Sequence, residues 1–250
     1  MRQTIYYMER DFRRWSRGKV NVISALILPA AWLIFVGLAL PIRFTDNYLD
    51  FITPGILVLT MLGASLQGGA LLMFDKILGF LQKFLAMPAP RETILFGKIL
   101  FITFRGLIQT TIILIMAILL GANYLNPLLL LQTYLVLFIF GVLLSSVMTT
   151  VALSLEDHDS YAAFNSMIAM PLFFTSSALM PYDQMPAWLA TIAHLNPVSY
   201  AIDAIRAMQE GIFPATTILG LLIGAASVSY THLRAHETVL DLVCRLLLEK

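Results

Sequence analysis

Ile52-Thr-Pro-Gly-Ile-Leu-Val-Leu-Thr-Met-Leu-Gly-Ala-Ser-Leu-Gln-Gly-Gly-Ala-Leu-Leu-Met-Phe74 decides the fold. No charge interrupts it, and as a helix rising 1.5 Å per residue it is long enough to cross a hydrocarbon core of about 30 Å. Lipid offers the backbone no hydrogen-bond partners, so a helix is the expected form. Ala64, Ser65, Gly68 and Gly69 form two overlapping small-xxx-small pairs. That spacing lets helices approach closely, for packing within the chain or for a subunit interface or pore lining.

Five similar runs flank it, so the chain reads as spans at about 20–40, 52–74, 94–120, 128–153, 161–179 and 212–226, with Pro29 and Pro171 inside two of them. The final run is the weakest. Composition agrees: 59% of residues are hydrophobic and 12% charged, with mean hydropathy +0.82, where soluble chains carry about 25% charged residues. The net charge of +1 is uninformative because the charges are segregated. The single cysteine, Cys244, excludes an intrachain disulfide framework or thiolate metal site. The first apolar run is too long for a signal h-region and is expected to stay as an anchor.

Upstream, Ile5, Met8, Phe12 and Trp15 share one helical face, with Arg10, Arg13, Arg14 and Arg17 over much of the rest. This predicts an interfacial helix, apolar face down, its arginines towards anionic lipid. Lys and Arg concentrate before span one and between spans two and three. The bias places the N-terminus and the 75–98 loop in the cytoplasm.

That loop is longer than a turn requires. Asp75 to Met87 reads as an amphipathic helix with Leu78, Leu81 and Leu85 in a stripe widened by Ile77, Phe80 and Phe84, stopped by Pro88 and Pro90. Such apolar surface suits helix-in-groove docking by a partner protein, or a helix lying on the membrane. After span five, Ser176-Ser-Ala-Leu-Met-Pro181, Pro186-Ala-Trp188-Leu and Asn196-Pro197-Val-Ser-Tyr200 outline two half-helices too short to cross. They are expected to dip in and return, or to lie flat, with Trp188 and Tyr200 at the interface.

Three blocks give the chain a resemblance to the ABC-2 type permeases, including drug-resistance and lipo-oligosaccharide export permeases. The first is Gly79…Leu81…Leu85…Pro88…Arg91…Gly97-Lys98. The second is the Ser-Ser-Ala-Leu-Met-Pro segment. The third is Pro186-x-Trp188, Asn196-Pro197-x-x-Tyr200 and Asp203-x-x-Arg206. Their order and spacing cover residues 1 to 226. The resemblance implies an all-α polytopic membrane helix bundle: six transmembrane helices, an N-terminal interfacial helix, a cytoplasmic coupling helix, and re-entrant helices before the last span. Gly79, Phe80, Leu81, Phe84, Leu85, Pro88 and Arg91 would couple to an ABC ATP-binding subunit. Pro186, Trp188, Asn196, Pro197 and Tyr200 would shape the re-entrant pair. It also implies a second permease subunit, identical or not, in the cell (inner or plasma) membrane. ATP and Mg would bind the ATP-binding subunit, with no cofactor on this chain. No nucleic-acid partner is expected. The chain departs from the pattern at Gln82, where relatives often carry an acid.

Arg105 lies inside span three, where a charge is either functional or snorkels to the headgroups; a pathway or subunit contact is the functional reading. Glu156-Asp-His-Asp159 reads as a solvated loop with Asp159 or Ser160 capping the next helix, and His194 as structural. No Walker A, His-Glu-x-x-His or Gly-x-Ser-x-Gly pattern occurs, so the chain is expected not to be an enzyme. The expected function is export of an amphipathic molecule such as a drug, lipid or lipid-linked sugar, by alternating access. The alternative is an ion-gradient-driven carrier, disfavoured because no acid falls within a predicted span. Residues 227–250 look unlike the rest, resembling translated adapter or vector DNA, and no role is assigned to His232, His236 or Cys244.

Overall fold

The computed structural model describes residues 2–37, 48–80, 91–124 and 126–227, and every regular element among them is helical. In chain order these are α1 (Arg2–Arg17), α2 (Lys19–Ala31), α3 (Tyr48–Ile77), α4 (Arg91–Leu119), α5 (Pro127–Ser154), α6 (His158–Phe174), α7 (Ala187–Leu195), α8 (Pro197–Gln209) and α9 (Ala215–Ser227). A 3₁₀ turn, Tyr182–Gln184, precedes α7.

Among the described residues three helices are long and apolar enough to cross a membrane: α3, α4 and α5. The α1–α2 pair, bent by 74° at the break around Gly18, makes a fourth if it is counted as one span. At Pro29 the helix lacks an N–H donor, and three residues later α2 widens into a π-helix, Trp32–Val36. The remaining expected spans are shorter. α6 has 17 residues and α9 has 13, about 26 and 20 Å long. Six full-length crossings are therefore not what the described residues display.

α3 is the axis of the bundle. It packs along α4 and α5, and α6 and α8 also lie against it. Its small residues serve those contacts. A Cβ on Gly68 would stand 2.5 Å from Ile102 of α4, and one on Gly69 2.1 Å from the Tyr161 hydroxyl of α6. Ser65 faces Ser145 of α5 at 3.4 Å. Within this chain the small-xxx-small spacing is thus used for packing.

Two boundaries differ from expectation for identifiable reasons. α3 does not stop at Phe74. Asp75 is neutralised by neighbouring cations, and Lys76 Nζ donates to the carbonyls of Leu153 (2.9 Å) and Leu155 (2.5 Å) at the end of α5. Charges satisfied inside the bundle do not end the helix. α6, expected to reach Leu179, stops at Phe174, because Asn196 Nδ2 takes the Leu172 carbonyl at 2.7 Å and Ser176 Oγ takes that of Phe173 at 2.5 Å.

Candidate functional site

α1, α3 and α4 meet in a buried cluster of charge. Lys98 Nζ lies 2.7 Å from Asp11 Oδ2 and also pairs with Asp75 Oδ2. Arg14 Nη1 reaches Asp75 at 3.3 Å, and Arg10 bridges Asp11 at 2.5 Å and Asp75 at 3.5 Å. Asp11, Asp75 and Lys98 are all nearly inaccessible. Removing charge from water is costly unless it is paired, so this cluster fixes how α1 lies on α4. Gly97 provides the crossing point: a Cβ there would stand 3.2 Å from the Thr4 carbonyl and Tyr7 Cβ. Phe12 meets Phe101 edge-on at 5.9 Å. Part of the arginine face therefore turns onto the chain's own carboxylates, while Arg13 pairs with Glu9 outside. Asp50 and Asp75 flank the expected span 52–74 within the longer helix α3. An i±3 or i±4 search on α1 would have placed Asp11 beside Met8 and Trp15; nothing local marks its union with Lys98.

At the far end of α3 a second polar centre holds the α6–α9 connection. Asn196 caps α8, accepting from Val198 N at 2.9 Å, and Pro197 occupies the first helical position. Pro186 precedes α7 as its N-cap residue. Arg206 of α8 donates to the carbonyls of Ser177 (2.7 Å), Phe51 (3.1 Å) and Ala178 (3.3 Å), with its guanidinium 3.8 Å over the Phe51 ring. Asp203 accepts from Ser177 Oγ at 2.7 Å and the Tyr182 hydroxyl at 2.5 Å. Burial pushes Tyr182 up to about 12, reinforced by its bond to Asp203, so it remains a donor at neutral pH. Burial lowers Arg206 to about 10, opposed by Asp203, and it remains charged. His194 stacks flat on Tyr182 at 4.2 Å. Gly55 of α3 admits Ala178 so closely that a Cβ there would sit 3.0 Å from the alanine Cβ. Trp188 and Tyr200 face outward, 66% and 45% exposed. Asp203 and Arg206, matched only as a motif in the sequence, hold this centre together.

Arg105 is held inside the bundle. It lies fourteen residues into α4, is 3% exposed, and donates from Nη2 to the Ala64 carbonyl (2.9 Å) and Gln67 Oε1 (3.4 Å) of α3. It borders a cavity of about 520 Å³ with Asp11, Arg14, Lys98 and Gln67. The acidic loop is capped by Asp157 rather than Asp159 or Ser160. Its carboxylate accepts from Ser160 N at 2.7 Å, which holds its pKa below the ordinary carboxylate value. Among the described residues no group of three or more His, Cys, Asp or Glu could hold a metal ion.

Of the expected coupling residues, Gly79 follows α3 with φ +72°, the left-handed region that glycine tolerates, and Phe80 is 41% exposed. The backbone of Arg91 opens α4. Leu81, Gln82, Phe84, Leu85 and Pro88 lie outside the described residues, as does the 228–250 tail. The helix expected from Asp75 therefore does not begin there: Asp75–Ile77 closes α3.

A helical bundle with several apolar, membrane-length helices defines a multi-pass membrane protein. The chain belongs to the ABC-2 type transporter family, whose profile matches residues 2–209. It is 36% identical over 208 residues to the "putative transport permease ycf38" of Cyanophora paradoxa, covering 80% of this chain and 71% of the relative. It is 28% identical over 235 residues to the "probable doxorubicin resistance ABC transporter permease protein DrrC" of Mycobacterium tuberculosis, covering 90% and 83%. The "daunorubicin resistance ABC transporter permease protein DrrB1" of Streptomyces coeruleorubidus is 23% identical over 212 residues, covering 83% and 75%. The chain is accordingly a membrane transport permease of an ABC transporter.

Proposed function

We propose that this permease exports an amphipathic molecule by alternating access, powered by ATP hydrolysis on a separate ATP-binding subunit. The observation that carries the reading is the family match through residues 2–209, with drug-resistance permeases among the relatives. Two permease subunits, identical or not, would face each other across the pathway. α2 with its π extension, α3, α4, α5, α6 and α9 would be the six spans, α1 the interfacial helix, and α7 and α8 the re-entrant pair. The N-terminus and the 75–98 loop would be cytoplasmic, in the cell (inner or plasma) membrane. The segment from Gly79 through Phe80, Leu81, Phe84, Leu85 and Pro88 to Arg91 would receive the ATP-binding subunit. Gly79 supports this placement, because its left-handed turn ends the α3 path and frees the following residues to take a new direction.

A mild-detergent pull-down of the tagged chain from its native membrane, read by mass spectrometry, tests the proposal. A near-stoichiometric partner bearing a Walker A motif is expected, lost when Phe80 and Phe84 are both changed to Asp. Retention of that partner and of stimulated ATP hydrolysis in the double variant would refute the coupling assignment. Absence of any ATPase beside an intact, dimeric protein would point to the ion-driven carrier.

A further inference from the structure

Two cavities adjoin along the flank of the bundle where α2 leans on α3, α4 and α6. One, about 520 Å³, carries Arg14, Lys98 and Arg105, with Asp11 committed to Lys98. The other, about 490 Å³, is walled mainly by Leu28, Trp32, Leu59, Met170, Phe173 and Phe174. They share Ser24 and Gln67. Each falls within the size range of small-molecule sites, about 300–1,000 Å³. The cleft is charged at one end and apolar at the other.

Unpartnered polar atoms cluster where the two halves meet. Arg105 Nε and Gln109 Nε2 have no hydrogen-bond partner, and both residues are at most 3% exposed. They stand one turn apart on the same face of α4. Among the described residues no carboxylate pairs with Arg105, since Asp11 and Asp75 are held by Lys98, Arg10 and Arg14. Four cations thus meet two acids, and a buried cation without a counter-charge is costly.

We infer that this cleft binds an amphipathic anion, its carboxylate or phosphate group against Arg105 and Gln109 and its hydrocarbon among Trp32, Phe173 and Phe174. Such a ligand supplies the missing negative charge, accepts from both orphan donors and fills the apolar half. The molecule is either cargo or a resident acidic lipid, which share this chemistry. Its role as cargo rests on the export reading, whereas its binding does not.

The full-length protein in phosphatidylcholine nanodiscs, with Trp15→Phe and Trp188→Phe leaving Trp32 as reporter, would be titrated with a chain-nitroxide fatty acid. The alkylammonium of equal chain length is the control. The carboxylate should quench Trp32 at roughly tenfold lower concentration, and Arg105→Gln should erase that difference. Gly63→Leu guards against a folding artefact. Gly63 lines the apolar cavity and a Cβ there meets nothing within 4 Å, so leucine enters open space. It should abolish saturable quenching by both probes. Equal quenching by the two probes, an unaltered preference in folded Arg105→Gln, or unaltered binding in Gly63→Leu would each overturn the inference. An acidic lipid co-purifying with wild type and lost from Gly63→Leu would identify the resident form. ATP-dependent displacement of the fatty acid, with the ATP-binding subunit present, would identify cargo. Failure of the export reading would show separately, as charge-selective quenching without any ATPase partner.

Discussion

Both ends of α3 bury charge, but they satisfy it in opposite ways. Near Asp75, three cations from α1 and α4 share two carboxylates from α1 and α3. Near Tyr48, Arg206 is held by three backbone carbonyls and an aromatic face, and Asp203 by two hydroxyls. Ion pairs can exchange partners as helices shift, because each charge retains another within reach. Carbonyls have fixed positions, so a guanidinium bridging α3 to the 177–178 turn ties those segments into one unit. The difference makes the Arg206 end a rigid cap and the Asp75 end the place where a displaced helix can find new pairings.

The largest effect should come from the cap. Arg206→Leu orphans the carbonyls and strips Asp203 of its nearby charge, a loss of about 3–5 kcal/mol, readable as lost thermal stability in detergent. If it costs less than Asp75→Asn, the assignment of rigid and exchangeable ends is reversed. Asp75→Asn should cost about 2–3 kcal/mol, since Lys98 keeps Asp11. Combining it with Lys98→Gln should cost less than the two single losses added, with a coupling of about 1–3 kcal/mol. Additivity would mean that the charges act independently. Gly97→Leu should lift α1 from α4 for about 1–3 kcal/mol, read as a lower melting midpoint in detergent. Outside both ends, Asp157→Ala removes a solvated cap and should lower the midpoint by only a degree or so. Because the folded pKa of Asp157 is depressed by the Ser160 N–H, its contribution is complete above the ordinary carboxylate pKa, near 4. It is lost as pH falls through the lower folded value, so variant and wild type should converge in acid.

The sequence made the long helices legible because α3, α4 and α5 each hold an apolar stretch long enough to span, and lipid admits few alternatives to a helix. Asn196-Pro197 was equally legible, a side-chain cap followed by a residue that needs no donor at the first helical position. The end of α3 was not. Asp75 and Lys76 look like an exit from the membrane until Lys98 and the carbonyls of Leu153 and Leu155 are brought beside them. Arg105 was only partly legible for the same reason. Periodicity locates it on α4 but says nothing of Ala64 and Gln67 on α3, which hold it inside. What escaped was pairing between residues distant in sequence, which no local pattern encodes.

The ion-pair cluster also imposes a schedule on biosynthesis. Lys98, the partner of Asp11, leaves the ribosome nearly ninety residues after it. At about 5–20 residues per second, α1 waits on the order of 4 to 17 seconds for that lysine. An amphipathic helix can spend the interval parked on the bilayer surface, and Asp75 emerges in time to meet it first. α1 is thus made well before its seat exists, and its docking on Gly97 and Lys98 has to await the synthesis of α4.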